Sequence, residues 1–336
     1  MSNTKMVDIA RMAGVSLATV GRVIHQNGYV SEDKRKEIEL IIEETGYVPN
    51  KIAQGLKSSQ SKLIGHMTVF NPNMLYEQIS SSINKKAHEN GYNVLTLTSH
   101  KEPEEDRKQV EELMGRQVDG VIITSNPFIP VSLIEKFVTA KIPVVMIERV
   151  QKLPGVDCIV VDDFNGAYEA VSHIIKMGHK NIGFIGMKNW HEVEKLRYQG
   201  YSKALENAGL KQHKSLTYFT QDYDVNQGKL AAQSLFNGEI VPTALFVTSD
   251  ILACGVAQFC YEKGINIPKD LSLVGYDNTL SVLLAPPITS MGLPSEEIGE
   301  QALQLLARRM ADFKLPSKSV LVRPILINRK TVQRVK

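Results

Sequence analysis

Ser16, Leu17, Ala18, Thr19 and Arg22 fall within one short stretch, AGVSLATVGRVI (residues 13–24), and none of them belongs to its apolar stripe. Side chains of these types near the start of a helix have the chemistry to meet a nucleic-acid duplex. Arg22 carries a planar guanidinium that can take guanine O6 and N7 together, while Leu17 and Ala18 can meet a thymine methyl. Ser16, Thr19 and the helix N-terminus suit phosphate oxygens. Gly21 interrupts the set, and a glycine inside a helix typically costs about 1 kcal/mol relative to alanine. The position must either tolerate that cost or need the missing side chain. Similar packing occurs in unrelated three-helix caps. Bulk charge does not decide between the two, since residues 1–60 carry eight Lys or Arg against seven Asp or Glu.

Such a surface needs helices to hold it, and the apolar spacing predicts three. Val7, Ile9, Ala10 and Ala13 form one stripe, Gly14 breaks the helix, Val15 packs, and Ser16 caps the second helix. Val20, Val23 and Ile24 repeat the i, i+3, i+4 spacing of a buried face. A third helix starts at Ser31, carries Glu32 and Asp33 in its first turn, buries Ile38, Ile41 and Ile42, and stops at Gly46. YVPNKIAQGLKSSQSK (residues 47–62) comes next as a polar connector.

From Leu63 the texture changes to strands alternating with helices. LIGHMTVF, YNVLTLT, VDGVIIT, PVVMIE, NIGFIG, ALFVTS and LSLVG are apolar runs of strand length. Helical stretches lie at 75–90, 104–115, 165–177, 192–208 and 250–263, and Gly91, Gly178 and Gly264 stand where a helix gives way to a strand. The alternation predicts an α/β fold with doubly wound parallel sheets covered on both faces. About 270 residues is long for one sheet, so two similar lobes are expected, with ligands between them at the carboxyl ends of the strands.

The 336 residues include 43% hydrophobic and 22% charged side chains and a net charge of +3, ordinary for a globular chain. No run approaches the roughly 18 apolar residues of a membrane span. MSNTKMVDIARMAG lacks the apolar core of a signal peptide, so a cytoplasmic location and no membrane partner are expected. Cys158, Cys254 and Cys260 form no CxxC pair and have no histidines at metal-ligand spacing, which fits reduced structural thiols and no metal. GFIGMKNW lacks the GxGxxG spacing, and no phosphate-binding GxxxxGK, no G-x-S-x-G elbow and no HExxH occurs. A binding protein without cofactor, not an enzyme, is expected; an oxidoreductase on a doubly wound sheet is the rival that the missing fingerprint argues against.

VDIARMAGVSLATVGRVI is similar to the N-terminal signature of the LacI/GalR family of bacterial transcription regulators, and YVPNKIAQGLKSSQSKLIG resembles that family's hinge helix and entry into its sensor. PVVMIER, VDDFNGAYEAVSHIIKMGHKNIGFIG, RYQGYSKALENAGL, PTALFVTSDILACG and IPKDLSLVGYDN each resemble the matching family segment, in the family's order. The resemblance covers essentially the whole chain. It implies a helix-turn-helix DNA-binding domain at 1–48, a hinge helix and linker at 49–61, and a two-lobe effector-binding and dimerisation domain at 62–336, similar to type I periplasmic sugar-binding proteins. It also implies a homodimer whose recognition helices meet two halves of a palindromic operator. The DNA-facing residues are then Ser16, Leu17, Ala18, Thr19, Arg22 and Tyr29, with Asn50, Ala53, Gln54 and Leu56 in the hinge, where Leu56 wedges into the minor groove. Off DNA, the same hinge residues have the composition of a flexible linker.

The family's effector cleft falls on Arg149, Arg197, Asp250 and Asp277, with Phe70, Ser125 and Asn126 nearby. Charged forks and an aromatic face suit a sugar or a nucleobase, and a sugar or sugar-like effector is expected. Each acid or arginine alone is also compatible with a surface ion pair, and Trp190 with either a ligand cover or a packed loop residue. Asp163 stands where the family usually has asparagine, Glu148 where it usually has aspartate, and Gly21 where it usually has serine. The function implied is a sequence-specific transcriptional repressor controlled by that effector. The other reading is a sugar-binding protein whose N-terminal unit does not recognise DNA. No heptad repeat comes after the last apolar run, so a dimer rather than a tetramer is expected.

Overall fold

A computed structural model describes residues 4–47, 60–70, 73–100, 102–124, 129–148, 153–188 and 192–335. Asn50, Ala53, Gln54, Leu56, Ser125, Asn126, Arg149 and Trp190 lie outside the described residues. The chain divides into two compact units, Met1–Ser61 and Lys62–Lys336.

The first unit holds α1 (Met6–Met12), α2 (Leu17–Ile24) and α3 (Glu32–Thr45). Gly14 at φ +60° makes the turn after α1. Ser16 then starts α2 by accepting from the Thr19 backbone N–H at 3.1 Å. Gly46 at φ +59° ends α3. Ile9, Ala10, Ala13, Val20, Val23 and Ile38 form the shared core, with Ile24, Ile41 and Ile42 half-buried around it. Val7 departs from the expected stripe: it is 53% exposed, because it lies on the opposite side of α1 from Ile9 and Ala13. Ser31 occupies the N-cap of α3 without a side-chain cap bond.

The second unit contains twelve strands among the described residues, in two six-stranded sheets. The first-lobe sheet is ordered β11–β5–β4–β3–β1–β2, with β1 Leu63–Val69, β2 Asn93–Ser99, β3 Gly120–Thr124, β4 Val144–Ile147, β5 Val156–Val161 and β11 Ser319–Val322. The second-lobe sheet is ordered β12–β10–β9–β8–β6–β7, with β6 Ile182–Met187, β7 Thr217–Thr220, β8 Ala244–Val247, β9 Ser272–Asp277, β10 Thr289–Gly292 and β12 Ile325–Ile327. Pairing is parallel except at β12, which runs antiparallel to β10. The chain passes between lobes after β5, after β10 and between β11 and β12. β3, β4, β6, β8 and β9 are buried along their whole length, as sheets covered on both faces require.

These strands include the seven apolar runs of the sequence. β5 is less evident because Asp157 sits inside it, held by Arg309, which donates from Nε and Nη2 at 2.8 and 2.7 Å. Arg309 belongs to the helix Ser295–Ala311 and also donates to the carbonyls of Phe313, Leu315 and Pro316, fastening the chain on its way to β11.

Candidate functional site

On the first unit, Leu17, Ala18 and Arg22 are exposed along α2, Thr19 is half-buried, and Tyr29 is 89% exposed beyond the helix. Ser16 Oγ lies 2.9 Å from Thr19 Oγ1, so both hydroxyls are engaged in the cap while staying near the helix N-terminus. The structure therefore brings Ser16, Leu17, Ala18, Thr19 and Arg22 onto one short helix and its cap. Gly28, at φ +71°, lies against the Arg22 stem; a Cβ there would stand 3.3 Å from Arg22 Cδ. At Gly21 a Cβ would meet Met6 Cε at 3.2 Å, so the absent side chain relieves the crossing of α1 and α2.

In the second unit, charged side chains gather at the carboxyl ends of the second-lobe strands, where parallel sheets place their ligands. Arg197, on the helix Glu192–Asn207, is buried. Its Nε donates to Asp163 Oδ1 at 2.8 Å, its Nη1 to the Thr248 carbonyl at 2.6 Å, and its Cζ lies 3.8 Å over the Tyr276 ring. Its Nη2 is 3.7 Å from Asp277 Oδ1. The planar fork is thus held by the residue after β8, the first residue of the helix Asp163–Lys176 and the end of β9. Burial opposes its charge, yet the surrounding acids keep Arg197 protonated well beyond the ordinary arginine range.

Asp277 ends β9 at φ +91°, with Asn278 next at +57°, and Glu148 after β4 has φ +65°. Non-glycine residues seldom adopt the left-handed region, and such strain concentrates at functional sites. Asn73 Nδ2 donates to Asp277 Oδ2 at 2.6 Å, while Oδ1 accepts no hydrogen bond from a described residue. Burial raises the Asp277 carboxyl to about 7, Arg197 pulling the other way. Asp163 and Glu194 are also raised by burial, against the pull of Arg197.

Asp250 has a different task from that of an open cleft acid. Its Oδ2 accepts from the backbone N–H groups of Thr279 and Ser281 at 2.7 and 3.0 Å and its Oδ1 from Ser290 Oγ at 2.8 Å, so one oxygen is spent on the loop after Asp277 and the other on β10. Phe70 is also outside the buried cluster: it is 62% exposed at the end of β1, with its ring stacked on His100 at 5.7 Å.

Glu194 and Asn73 were not evident from the sequence. Glu194 accepts from the Met187 N–H, the Thr248 hydroxyl and the Tyr223 hydroxyl at 3.0, 3.0 and 2.6 Å, tying β6, β8 and the segment after β7 together. Its place three residues before Arg197, on the same helix face, is the signal that points to it. Asn73 meets a partner 204 residues away, and nothing local announces that. Tyr76, one turn along from Asn73, donates to Glu148 Oε2 at 3.0 Å. Among the described residues no group of three His, Cys, Asp or Glu stands where a metal could be held, and no helix is long and apolar enough to cross a membrane.

This pairing of a small helical unit with a two-lobe sheet unit is what known regulators share. Residues 5–50 match the model of bacterial regulatory proteins of the lacI family, and residues 171–332 match a periplasmic binding protein-like domain. The chain is 32% identical over 329 residues to the HTH-type transcriptional regulator DegA of Bacillus subtilis (strain 168), covering 97% of each. It is 30% identical over 331 residues to the HTH-type transcriptional repressor PurR of Mannheimia succiniciproducens, covering 98% of each. Among solved structures it is similar to the lac repressor dimer bound to operator and the anti-inducer ONPF, with a TM-score of 0.85, 26% identity, and coverage of 99% of this chain and 100% of that one. The chain belongs to the LacI family: it is a transcriptional regulator that joins a helix-turn-helix unit to an effector-binding sensor.

Proposed function

We propose that the chain is a repressor that acts as a homodimer on a palindromic operator, and that a sugar or sugar-like effector bound between its sensor lobes controls operator affinity. Residues 1–48 form the DNA-binding domain, 49–61 the hinge and 62–336 the sensor. Ser16, Leu17, Ala18, Thr19, Arg22 and Tyr29 face the operator, joined by Asn50, Ala53, Gln54 and Leu56 of the hinge. The effector-binding residues are Phe70, Ser125, Asn126, Arg149, Arg197, Asp250 and Asp277, with Arg197 and Asp277 at the centre of the site and Asp250 also holding the adjoining loop. Such a protein works in the cytoplasm, beside the DNA it regulates.

The observation that carries this reading is Asp277, a buried carboxylate on a strained backbone at a strand end, with one oxygen accepting nothing from the described residues. Unsatisfied buried acceptors are costly, so a hydrogen-bond donor arriving there is strongly favoured. An effector shifts operator binding only through its preference for one lobe arrangement over another.

The test is an operator-binding titration on palindromes selected from a random pool by the full-length protein, with and without a panel of neutral, aminated and phosphorylated sugars. One sugar changing operator affinity several-fold is expected. If the protein binds the selected palindromes and no sugar alters that affinity, the effector reading fails; if no palindrome is selected, the repressor reading fails.

A further inference from the structure

Asn73 does two things with one amide. It caps the first-lobe helix Met74–Glu89, its Oδ1 accepting from the Leu75 N–H at 3.0 Å, and its Nδ2 donates to Asp277 Oδ2 in the second lobe at 2.6 Å. The two duties fix the amide's orientation, because only the carbonyl can serve the helix N–H and only the NH2 can serve the carboxylate. Asp277 receives no other hydrogen bond from the described residues. The neighbours that could have supplied one are occupied. Arg197 gives Nε to Asp163 and Nη1 to Thr248, leaving Nη2 at 3.7 Å, and in the loop after Asp277 the Asn278 amide goes to Ser290 Oγ and those of Thr279 and Ser281 to Asp250.

We propose that Asn73 is an internal stand-in for the effector: its amide satisfies Asp277 from across the cleft and latches the lobes together, and the effector acts by bringing its own hydrogen-bond donor to that carboxylate in place of Asn73. This rests on the reading of the cleft as the effector site. It also restricts the ligand, whose group facing Asp277 is a hydroxyl or an ammonium. A phosphate or carboxylate at that point would meet a buried acid. Because Asn73 is the cap of a first-lobe helix, its release from Asp277 frees that helix end from the second lobe, so the chemistry of the ligand is converted directly into lobe movement.

The deciding experiment is hydrogen–deuterium exchange on the full-length protein and on Asn73→Ser and Asn73→Asp. Both replacements keep an oxygen able to cap the helix, and neither supplies a donor that reaches Asp277 as the amide does. Faster exchange is expected on both sides of the cleft, at residues 74–77 and at 276–281. A capping role alone would move only the first segment. Unchanged exchange at 276–281 in both variants overturns the latch. In parallel, glucose, glucosamine and glucose 6-phosphate serve as probes in a thermal-shift titration. A neutral or aminated sugar that binds the wild type is expected to bind Asn73→Ser about tenfold more tightly, equivalent to about 1.4 kcal/mol. Equal or weaker binding to the variant, or a preference for the phosphorylated sugar that Asp277→Asn leaves unaltered, overturns the competition. If no sugar acts on either protein, the exchange data alone decide the latch, and the failure belongs to the effector reading.

Discussion

Gly21 and Arg22 are chain neighbours with different surroundings. Gly21 backs onto the flexible end of Met6, whereas Arg22 is exposed with its stem along Gly28. Replacing Gly21 by alanine therefore removes a helix-weakening residue at the cost of a small shift in Met6 Cε. The expected result for Gly21→Ala is a helical unit more stable by about 0.5–1 kcal/mol in thermal unfolding. Operator affinity is expected to stay within about twofold, the range of substitutions away from a contact. A several-fold loss of affinity with the fold intact would place residue 21 against the duplex. Arg22→Ala is expected to cost about 1–3 kcal/mol on the preferred operator and to relax selection at one base pair. A uniform loss across all operator sequences would make Arg22 a phosphate contact instead.

At the scale of elements, Arg309 joins the helix Ser295–Ala311 to β5 and to the chain entering β11. The guanidinium and Asp157 are both fully buried, so truncation leaves a carboxylate without its fork. Arg309→Ala is expected to destabilise the sensor by about 3–5 kcal/mol, and a double replacement of Arg309 and Asp157 by apolar residues to cost much less. Urea unfolding of the three proteins checks this, and equal losses in the single and double variants would contradict it. This pair also explains what the sequence conceals. Gly14, Gly46 and Gly264 are legible because a positive φ has a residue preference, and β3, β4, β6 and β8 because burial on both faces demands apolar runs. β5 is obscured by Asp157, whose compensation lies 152 residues away. β7, β11 and β12 are short edge strands with exposed positions and no periodic signal. Arg197 and Asp277 were legible from family likeness, but the meeting of Asn73 with Asp277 depends on lobe packing that no local pattern encodes. The same applies to Asp250, whose type and position suggest a ligand group while its actual partners are set by the loop at 279–281.

For the whole molecule, burial drives two groups to opposite pH responses. His66 in β1 is fully buried beside Thr124, Nε2 lying 2.9 Å from its hydroxyl, and desolvation lowers it from 6.5 to about 4. Between those values the unfolded chain binds a proton that the folded chain refuses, so His66 withdraws stability as pH falls from 6.5 toward 4. Asp277 behaves inversely. Burial lifts it from 3.8 to about 7, so across that interval the folded chain keeps a proton that the unfolded chain has released. Its contribution to stability therefore grows as pH falls from 7 toward 4 and is lost as pH rises through 7. Each amounts to about 1.4 kcal/mol per pH unit within its window, and over the shared range the two largely offset each other. Single replacements separate them. Relative to wild type, His66→Leu is expected to gain stability progressively on acidification below 6.5, and Asp277→Asn to lose it progressively below 7, in sensor unfolding measured at half-unit pH steps. Asp163, Glu194 and Asp250, raised by the same burial, add to the Asp277 direction but cancel in each comparison with wild type unless the replacement disturbs them. Parallel stability–pH curves for wild type and His66→Leu would mean that His66 titrates alike in the folded and unfolded chain, against its position in the core of the first lobe.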